Sequence, residues 1–369
     1  MSSLRPTIRR VRAILPIACF AVFWMGCTGE YPQTTFRPVT DFGAQINDLF
    51  TGIFWWTMLV LAIVYVVLIY VLVRYRDRPG AEARKTYGNN LAEIGWTLGP
   101  AVIVVLILVP TVRTIFRSYE RAPEGALVVE AVGHQWWWEF RYPDLGVVTA
   151  NELHLPVGRP VEVRLRSVDV LHNWWVPRLG GKRYNYPVPA RAEGTPEPNL
   201  YHLLSFTVEE PGEYSGQCAE YCGMSHALMR MRVVASPPEE FDAWLDAMRA
   251  SRGAIPEGAA QPAAAGVAPA QAAAPQSLEA QGYQVFLRAG CIACHTIEGT
   301  PAAGVLGPNL TRIGARWAIG AGLLPNTPEN LKKWIRNSPA LKPGSKMPPF
   351  PQLSEEDLTA LVAYLGSLE

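Results

Sequence analysis

Apolar and polar positions follow three successive patterns along the chain. The first is the uninterrupted apolar run. Ala13 to Met25 is short, follows Arg5, Arg9, Arg10 and Arg12, and ends at Gly26-Cys27. A basic head, a short apolar run and small residues at its end are the pattern of a secretory signal, here residues 1–27. Cys27 stands where lipoprotein processing would make it the lipidated first residue, although Trp24 and Met25 fit a lipobox poorly. Simple cleavage and retention as an anchor stay open as alternatives. Next come Ile53 to Val73 and Ile94 to Val112, both free of charge except near their ends. Each is about as long as a helix needs to cross a bilayer, which predicts a two-helix transmembrane hairpin over 45–118. Between them lie Arg74, Arg76, Arg78, Arg84 and Lys85, so the connecting loop is predicted to be cytoplasmic. Everything after Tyr119 then lies on the periplasmic or extracellular side, in independent agreement with the signal segment.

The second pattern is alternation. Leu127–Val132, Trp136–Tyr142, Glu152–Leu155, Val161–Arg166, His202–Val208 and Leu228–Val234 are short alternating runs separated by turns. They predict a compact β-sandwich or barrel over 122–250, closed by an amphipathic helix from Pro238 to Arg249. Residues 251–277 are mainly Ala, Pro, Gly and Gln, too poor in large side chains to form a core, and read as a flexible tether. The third pattern is helical and occupies 278–369: Leu278–Ala289, Pro328–Asn337 and Ser354–Leu368. Ser354 is the expected N-cap of the last, with Glu355, Glu356 and Asp357 in its first turn.

Composition adds little until the cysteines. The chain has 369 residues, enough for two or three domains, and a net charge of +1, which favours neither nucleic acid nor an acidic surface. Its six Cys fall into three groups: Cys19 and Cys27, Cys218 and Cys222, Cys291 and Cys294. Close pairs beside a histidine point to metal or haem chemistry rather than a disulfide framework.

Cys291-Ile-Ala-Cys294-His295 has the C-x-x-C-H spacing of c-type haem attachment. On a helix, two thiols so spaced add to both vinyl groups of one haem, and the histidine points at the iron. Met347 is the only Met after residue 248 and no His follows His295, so Met347 is the candidate second axial ligand. A thioredoxin-like dithiol would need a βαβ context and a zinc ribbon would need a second Cys pair; neither is present in this segment.

The run Cys218-Ala-Glu220-Tyr-Cys222-Gly-Met-Ser-His226-Ala-Leu-Met229 places two thiols, an imidazole, a thioether and a carboxylate in one loop. Soft sulfur ligands favour copper. One thiolate would suit a mononuclear site, whereas two facing one point can bridge a metal pair. Each metal then needs one histidine and one weak ligand: His226 for one, His172 for the other, with Met229 and the Glu220 carbonyl as weak ligands. A tetrahedral zinc site on His172, Cys218, Cys222 and His226, or a Cys218–Cys222 disulfide, remain as alternatives.

This loop, the upstream Asp169-Val-Leu-His172 and Gly133-His134-Gln135-Trp136-Trp137-Trp138 resemble subunit II of cytochrome c oxidase, from the first span to Ala235. The C-terminal segment resembles class I cytochromes c over its whole length, with Gly307-Pro308-Asn309-Leu310 matching their proximal loop. Together they resemble the haem-c-fused branch of the bacterial haem–copper oxidases. The resemblance implies a multidomain chain: a transmembrane hairpin, a cupredoxin-like β-sandwich holding binuclear copper (CuA), and an all-α cytochrome c domain. It further implies that Trp136 passes electrons to copper, that the Glu220 side chain binds Mg²⁺ or Mn²⁺ facing subunit I, and that Glu93 stands near a proton-channel mouth. For Glu93 a plain interfacial carboxylate is the alternative, and for the three Trp packing alone. The Asp usual after Gly-Gly-Lys is absent here, where Gly181-Lys182 continues to Arg183-Tyr184. His154 and His202 match no ligand position and are expected to be structural.

The implied function is electron intake by a proton-pumping terminal oxidase in a bacterial inner membrane. Its implied partners are oxidase subunits I and III, lipid, and a donor such as cytochrome c or a membrane-bound respiratory protein; nucleic acid is not among them. A nitrous oxide reductase needs more histidines than the six here. A copper-carrying assembly factor would not need a haem, and a quinol oxidase subunit would lack the Cys218–Cys222 pair. A nitric oxide reductase with a CuA subunit differs only in its partner and stays open.

Overall fold

The computed structural model describes residues 31–76, 79–80, 87–187, 201–250, 255–257, 259 and 277–369. The signal segment, the loop residues Arg78, Arg84 and Lys85, most of the tether and the Pro-rich stretch after Pro187 lie outside the described residues.

Two long helices lead the chain, α1 (Asp41–Arg74, 34 residues) and α2 (Asn90–Arg117, 28 residues). At about 1.5 Å per residue both exceed the ~30 Å hydrocarbon layer. Their large apolar side chains from Leu59 to Val73 and from Val102 to Val112 are exposed along the helix surface, a face that lipid or a partner subunit must cover. α1 starts well before the apolar run because its first turns belong to the next domain. Thr40 caps it, accepting from the Gly43 amide at 2.9 Å and donating to the Leu179 carbonyl at 2.7 Å. Asp41 then joins three elements. Its Oδ1 accepts from the Phe42 and Thr207 amides at 2.8 and 2.7 Å, and its Oδ2 meets the Arg117 guanidinium at 3.3 Å.

The sandwich has ten strands where the alternation predicted six. One layer holds β1 (Leu127–His134), β2 (Trp137–Tyr142), β3 (Val147–Ala150), β5 (Pro160–Ser167) and β8 (His202–Thr207), in the order β3-β2-β1-β5-β8. The other holds β4 (Glu152–Pro156), β6 (His172–Trp175), β9 (Gly212–Cys218) and β10 (Arg230–Ser236), in the order β6-β9-β10-β4. β7 (Arg183–Pro187) pairs with both β5 and β6 and ties the layers together. β3, β6, β7 and β9 escape the alternation because they are short or carry polar and glycine residues where a core strand would carry Val or Ile. Trp138, Trp174, Phe140, Phe206, Leu153, Leu155 and Leu165 fill the space between the layers. α3 (Pro238–Ala250) closes one edge by burying Phe241 and Leu245.

The C-terminal domain contains α4 (Leu278–Arg288), α5 (Pro328–Arg336), α6 (Ser338–Leu341) and α7 (Glu355–Gly366), with a two-residue β-hairpin between α4 and α5. α4 and α7 cross at Gly282, where an added Cβ would stand 2.0 Å from the Ala360 carbonyl oxygen, so only glycine permits the crossing. Tyr283 and Phe286 meet the Tyr364 ring edge-on beside it. Ser354 caps α7 by accepting from the Asp357 amide at 3.0 Å. The expected helix through Cys291–His295 is absent. Gly290, at φ 79°, ends the run that α4 began, and one 3-10 turn over Cys291–Ala293 follows.

Glu139 in β2 is buried and sits between His134, at 3.0 Å from its Nε2, and Arg141. Burial alone would raise its carboxyl, but hydrogen bonds from His134 and Arg141 outweigh burial and hold it at about 2, against an ordinary 4.5. A depressed carboxyl contributes stability that is complete above its unfolded pKa and is lost as pH falls through the folded one. The loss therefore runs from pH 4.5 down to about 2, and amounts to on the order of 3 kcal/mol. Glu139→Gln should lower stability at neutral pH and flatten the acid transition across that window, as followed by near-ultraviolet circular dichroism of the tryptophans.

Candidate metal centre and haem pocket

Two strand ends and one loop bring the sulfur ligands together. Cys218 is the last residue of β9, paired in register with Trp174 of β6, so His172 at the start of β6 lies beside it. The loop after Cys218 is closed at its base by the Cys218 amide on the Met229 carbonyl at 3.0 Å and the Ala219 amide on the Asn173 carbonyl at 2.8 Å. Inside it the Cys218 and Cys222 sulfurs lie 3.8 Å apart, and both thiols are free. Nδ1 of His172 stands 3.9 Å from Cys218, and Nδ1 of His226 stands 3.6 Å from Cys222. The Met229 sulfur is 3.8 Å from Cys222, and the Glu220 carbonyl oxygen is 3.2 Å from Cys218. Each sulfur thus has its own imidazole and its own weak donor. Gly133 makes room for this: a Cβ there would come within 2.7 Å of the His172 ring.

The charges of this cluster call for a cation. The Cys218 thiol falls to about 3, lowered first by the hydrogen bond with Cys222 and then by His172, against the effect of burial. Cys222 is driven up by the Cys218 thiolate and by burial. Two buried sulfurs this close cannot both be anionic without added positive charge, which a metal pair would supply. Burial would lower His172, but Asp169 and Cys218 outweigh it and raise it. Asp169 itself is pushed up by burial, but the His172 hydrogen bond and the Gln135 and Val170 amides bring it to about 2. Its Oδ1 lies 2.8 Å from His172 Nε2 and so directs Nδ1 at the sulfurs. Six donors converge, two more than a tetrahedral zinc takes, and the donor set fits two copper ions.

The candidate haem residues all lie in the C-terminal domain. Cys291 and Cys294 are free and half-buried. His295 Nδ1 lies 2.9 Å from the Pro308 carbonyl, which leaves Nε2 as the nitrogen for iron. Gly307 is flush against that ring, since a Cβ would stand 2.5 Å from its Cε1. Burial lowers the His295 pKa, keeping the imidazole neutral. Met347 packs against the core of the same domain, and its carbonyl accepts from the Ser338 hydroxyl at 2.9 Å. Two free thiols, an imidazole and a thioether within this one domain are the donor set that a covalent haem takes.

Trp136 is buried, and its indole N–H donates to the Cys222 carbonyl at 3.0 Å; the Gln135 side-chain Nε2 donates to the same oxygen at 2.8 Å. Its two neighbours pack: Trp138 is fully buried between the layers, and Trp137 stacks on His134 at 4.0 Å. The Glu220 side chain lies beside Tyr184, whose phenol its charge and hydrogen bond push up. Glu93 stands exposed in the first turn of α2, with Oε1 accepting from the Asn89 amide at 3.4 Å. His154 stacks on Trp244 at 4.3 Å, and His202 meets Tyr186 edge-on. The role of Asp169 emerges only from the structure. The signal was its place three residues before a ligand histidine, where a turn returns the carboxylate to the ring.

Residues 39–114 match the family described as the transmembrane domain of cytochrome c oxidase subunit II, and residues 147–236 match its periplasmic domain. Residues 279–369 match cytochrome c. Cytochrome c oxidase subunit 2 of Alkalihalophilus pseudofirmus is 34% identical over 362 residues, covering 96% of each chain. The Bacillus subtilis protein of that name is 30% identical over 380 residues, 98% of this chain and 99% of its own. Among solved structures, the periplasmic domain of subunit II of cytochrome oxidase from Bradyrhizobium japonicum is 25% identical over 35% of this chain and 97% of that one, with a TM-score of 0.31. The chain belongs to the cytochrome c oxidase subunit II family and carries a cytochrome c domain fused at its C-terminus.

Proposed function

We propose that this chain is the electron-intake subunit of a proton-pumping haem–copper terminal oxidase in a bacterial inner membrane. In this reading, electrons pass from cytochrome c or a membrane-bound donor to covalent haem c, then to binuclear copper, and on to haem in subunit I, where O₂ is reduced to water. Both soluble domains lie on the periplasmic side, and subunits I and III cover the exposed helix faces. The observation that carries the reading is the donor cluster of six, with one imidazole and one weak ligand beside each of two free sulfurs 3.8 Å apart.

Bound in these two places, copper and haem supply one-electron carriers; the chain's own residues do the rest. Cys291, Cys294, His295 and Met347 hold the haem. His172, Cys218, Glu220 through its carbonyl, Cys222, His226 and Met229 hold the copper pair, and Asp169 fixes the His172 ring. The strand pairing and loop-base bonds would hold these donors in place around a bound copper pair. Trp136 bridges the cluster to the domain surface through the Cys222 carbonyl. The Glu220 side chain serves a Mg²⁺ or Mn²⁺ ion facing subunit I, and Glu93 stands near a proton-channel mouth.

Purified full-length chain, matured with haem and loaded with copper, should contain two coppers sharing one unpaired electron in paramagnetic resonance, plus one covalent low-spin haem. Zinc or a single copper would sink the reading. Asp169→Asn should weaken copper binding about 10- to 100-fold by freeing the ring, with competition against a chelator as the measure; an unchanged affinity would remove Asp169 from the site. In the assembled oxidase, Glu93→Gln should slow proton uptake while the copper and haem spectra stay unchanged. Equal uptake would leave Glu93 as an interfacial carboxylate.

A further inference from the structure

The cytochrome domain is seated on the sandwich, and the contact centres on a buried lysine. Lys342 follows α6 and is only 4% exposed. Its ammonium donates to the Trp136 carbonyl at 2.6 Å, the Leu228 carbonyl at 2.9 Å and the Gly320 carbonyl at 2.7 Å. Two acceptors belong to the sandwich and one to the cytochrome domain, and together they use all three ammonium protons. Burial pulls this lysine down to about 7. A desolvated ammonium is costly to keep unless its protons are satisfied, and here two of the three partners exist only when the domains are together.

The residues that follow Lys342 extend the contact across Trp136. Pro343 accepts from the Ser225 hydroxyl at 2.6 Å. Gly344, at φ 81°, lies flat on the indole: a Cβ there would stand 2.5 Å from Trp136 Cη2 and 2.7 Å from Met224 Cε. Lys346 reaches to 3.6 Å from Asp169. The same turn then arrives at Met347. A second patch flanks it. The Trp317 amide donates to Glu152 Oε1 at 2.8 Å, the Arg232 guanidinium lies 5.1 Å over the Trp317 ring, and the Arg230 amide donates to the Ala321 carbonyl at 3.2 Å.

We propose that Lys342 is a positioning residue that latches the fused cytochrome domain onto the sandwich, so that the 342–347 turn covers Trp136. The fused domain is then the resident occupant of the face above Trp136. This rests on the reading above for the identity of the two carriers, but the latch itself is a property of the chain.

The test uses the full chain in the detergent-solubilised oxidase, with Lys342→Met as the variant. Two readouts are taken: amide hydrogen exchange at Arg230, whose N–H crosses the interface, and the rate of haem-to-copper electron transfer after photoreduction. The expected result is at least tenfold faster exchange at Arg230 and at least tenfold slower transfer, with haem absorption and copper resonance as in the parent. Unchanged exchange and rate would overturn the proposal. Should Lys342→Met fail to retain haem, Trp317→Ala is read the same way, because it loosens the same interface away from every ligand. Zinc or a single copper in the parent chain would defeat the metal assignment alone; exchange at Arg230 would still decide the latch.

Discussion

Two buried sulfurs 3.8 Å apart with no bond between them are the constraint around which the sandwich is arranged. Left alone, such a pair would shed charge or move apart. The chain holds them by backbone rather than by side-chain packing. Cys218 ends a strand paired to the strand that carries His172, and the loop base is pinned by amide–carbonyl bonds at both ends. The neighbouring choices follow from that. Gly133 has no side chain because the His172 ring needs the space, and Asp169 turns that ring so that the correct nitrogen faces sulfur. Trp136 gains its place by donating to the Cys222 carbonyl, so the indole is anchored to a ligand's own backbone.

What could be read without coordinates was what short spacing encodes. The Cys218–Met229 run and the Cys291–His295 run each carry their chemistry within a dozen residues, and His172 was reachable through the Asp-Val-Leu-His run before it. The strands that position these residues were less visible. β6, β7 and β9 carry Asn, Tyr, Gly and Gln at positions where alternation would show apolar residues, because Asn185 and Tyr214 bond backbone carbonyls and Gly216 leaves room for Val176 and Met231. The membrane spans were legible only where lipid selects the residues, so α1 was placed from Ile53 although it begins at Asp41. Lys342 left no trace at all. Its three partners are backbone carbonyls, which every residue possesses, and only the fold brings them together.

The two halves of the molecule use opposite means of attachment. The sandwich is tied to the membrane hairpin by short-range bonds within the folded chain, with no spacer between Val39 and α1. The cytochrome domain, in contrast, is joined by a long Ala- and Pro-rich stretch and by surface contacts. The placement of the sandwich on the hairpin is therefore a property of one continuous fold, whereas the placement of the cytochrome domain rests on surface contacts.

The carboxylate of Asp41 also has a bearing on biogenesis. It lies just before the first membrane crossing, and its partner Arg117 ends the second, while the Thr207 amide comes from a strand made almost a hundred residues later. These three groups meet only if both crossings have been completed and the hairpin has returned to its starting side. A chain whose second helix stayed behind would strand the arginine across the bilayer from its carboxylate, and β8 would close on an unpaired charge. The junction thus couples correct threading through the membrane to closure of the domain that will hold the metal.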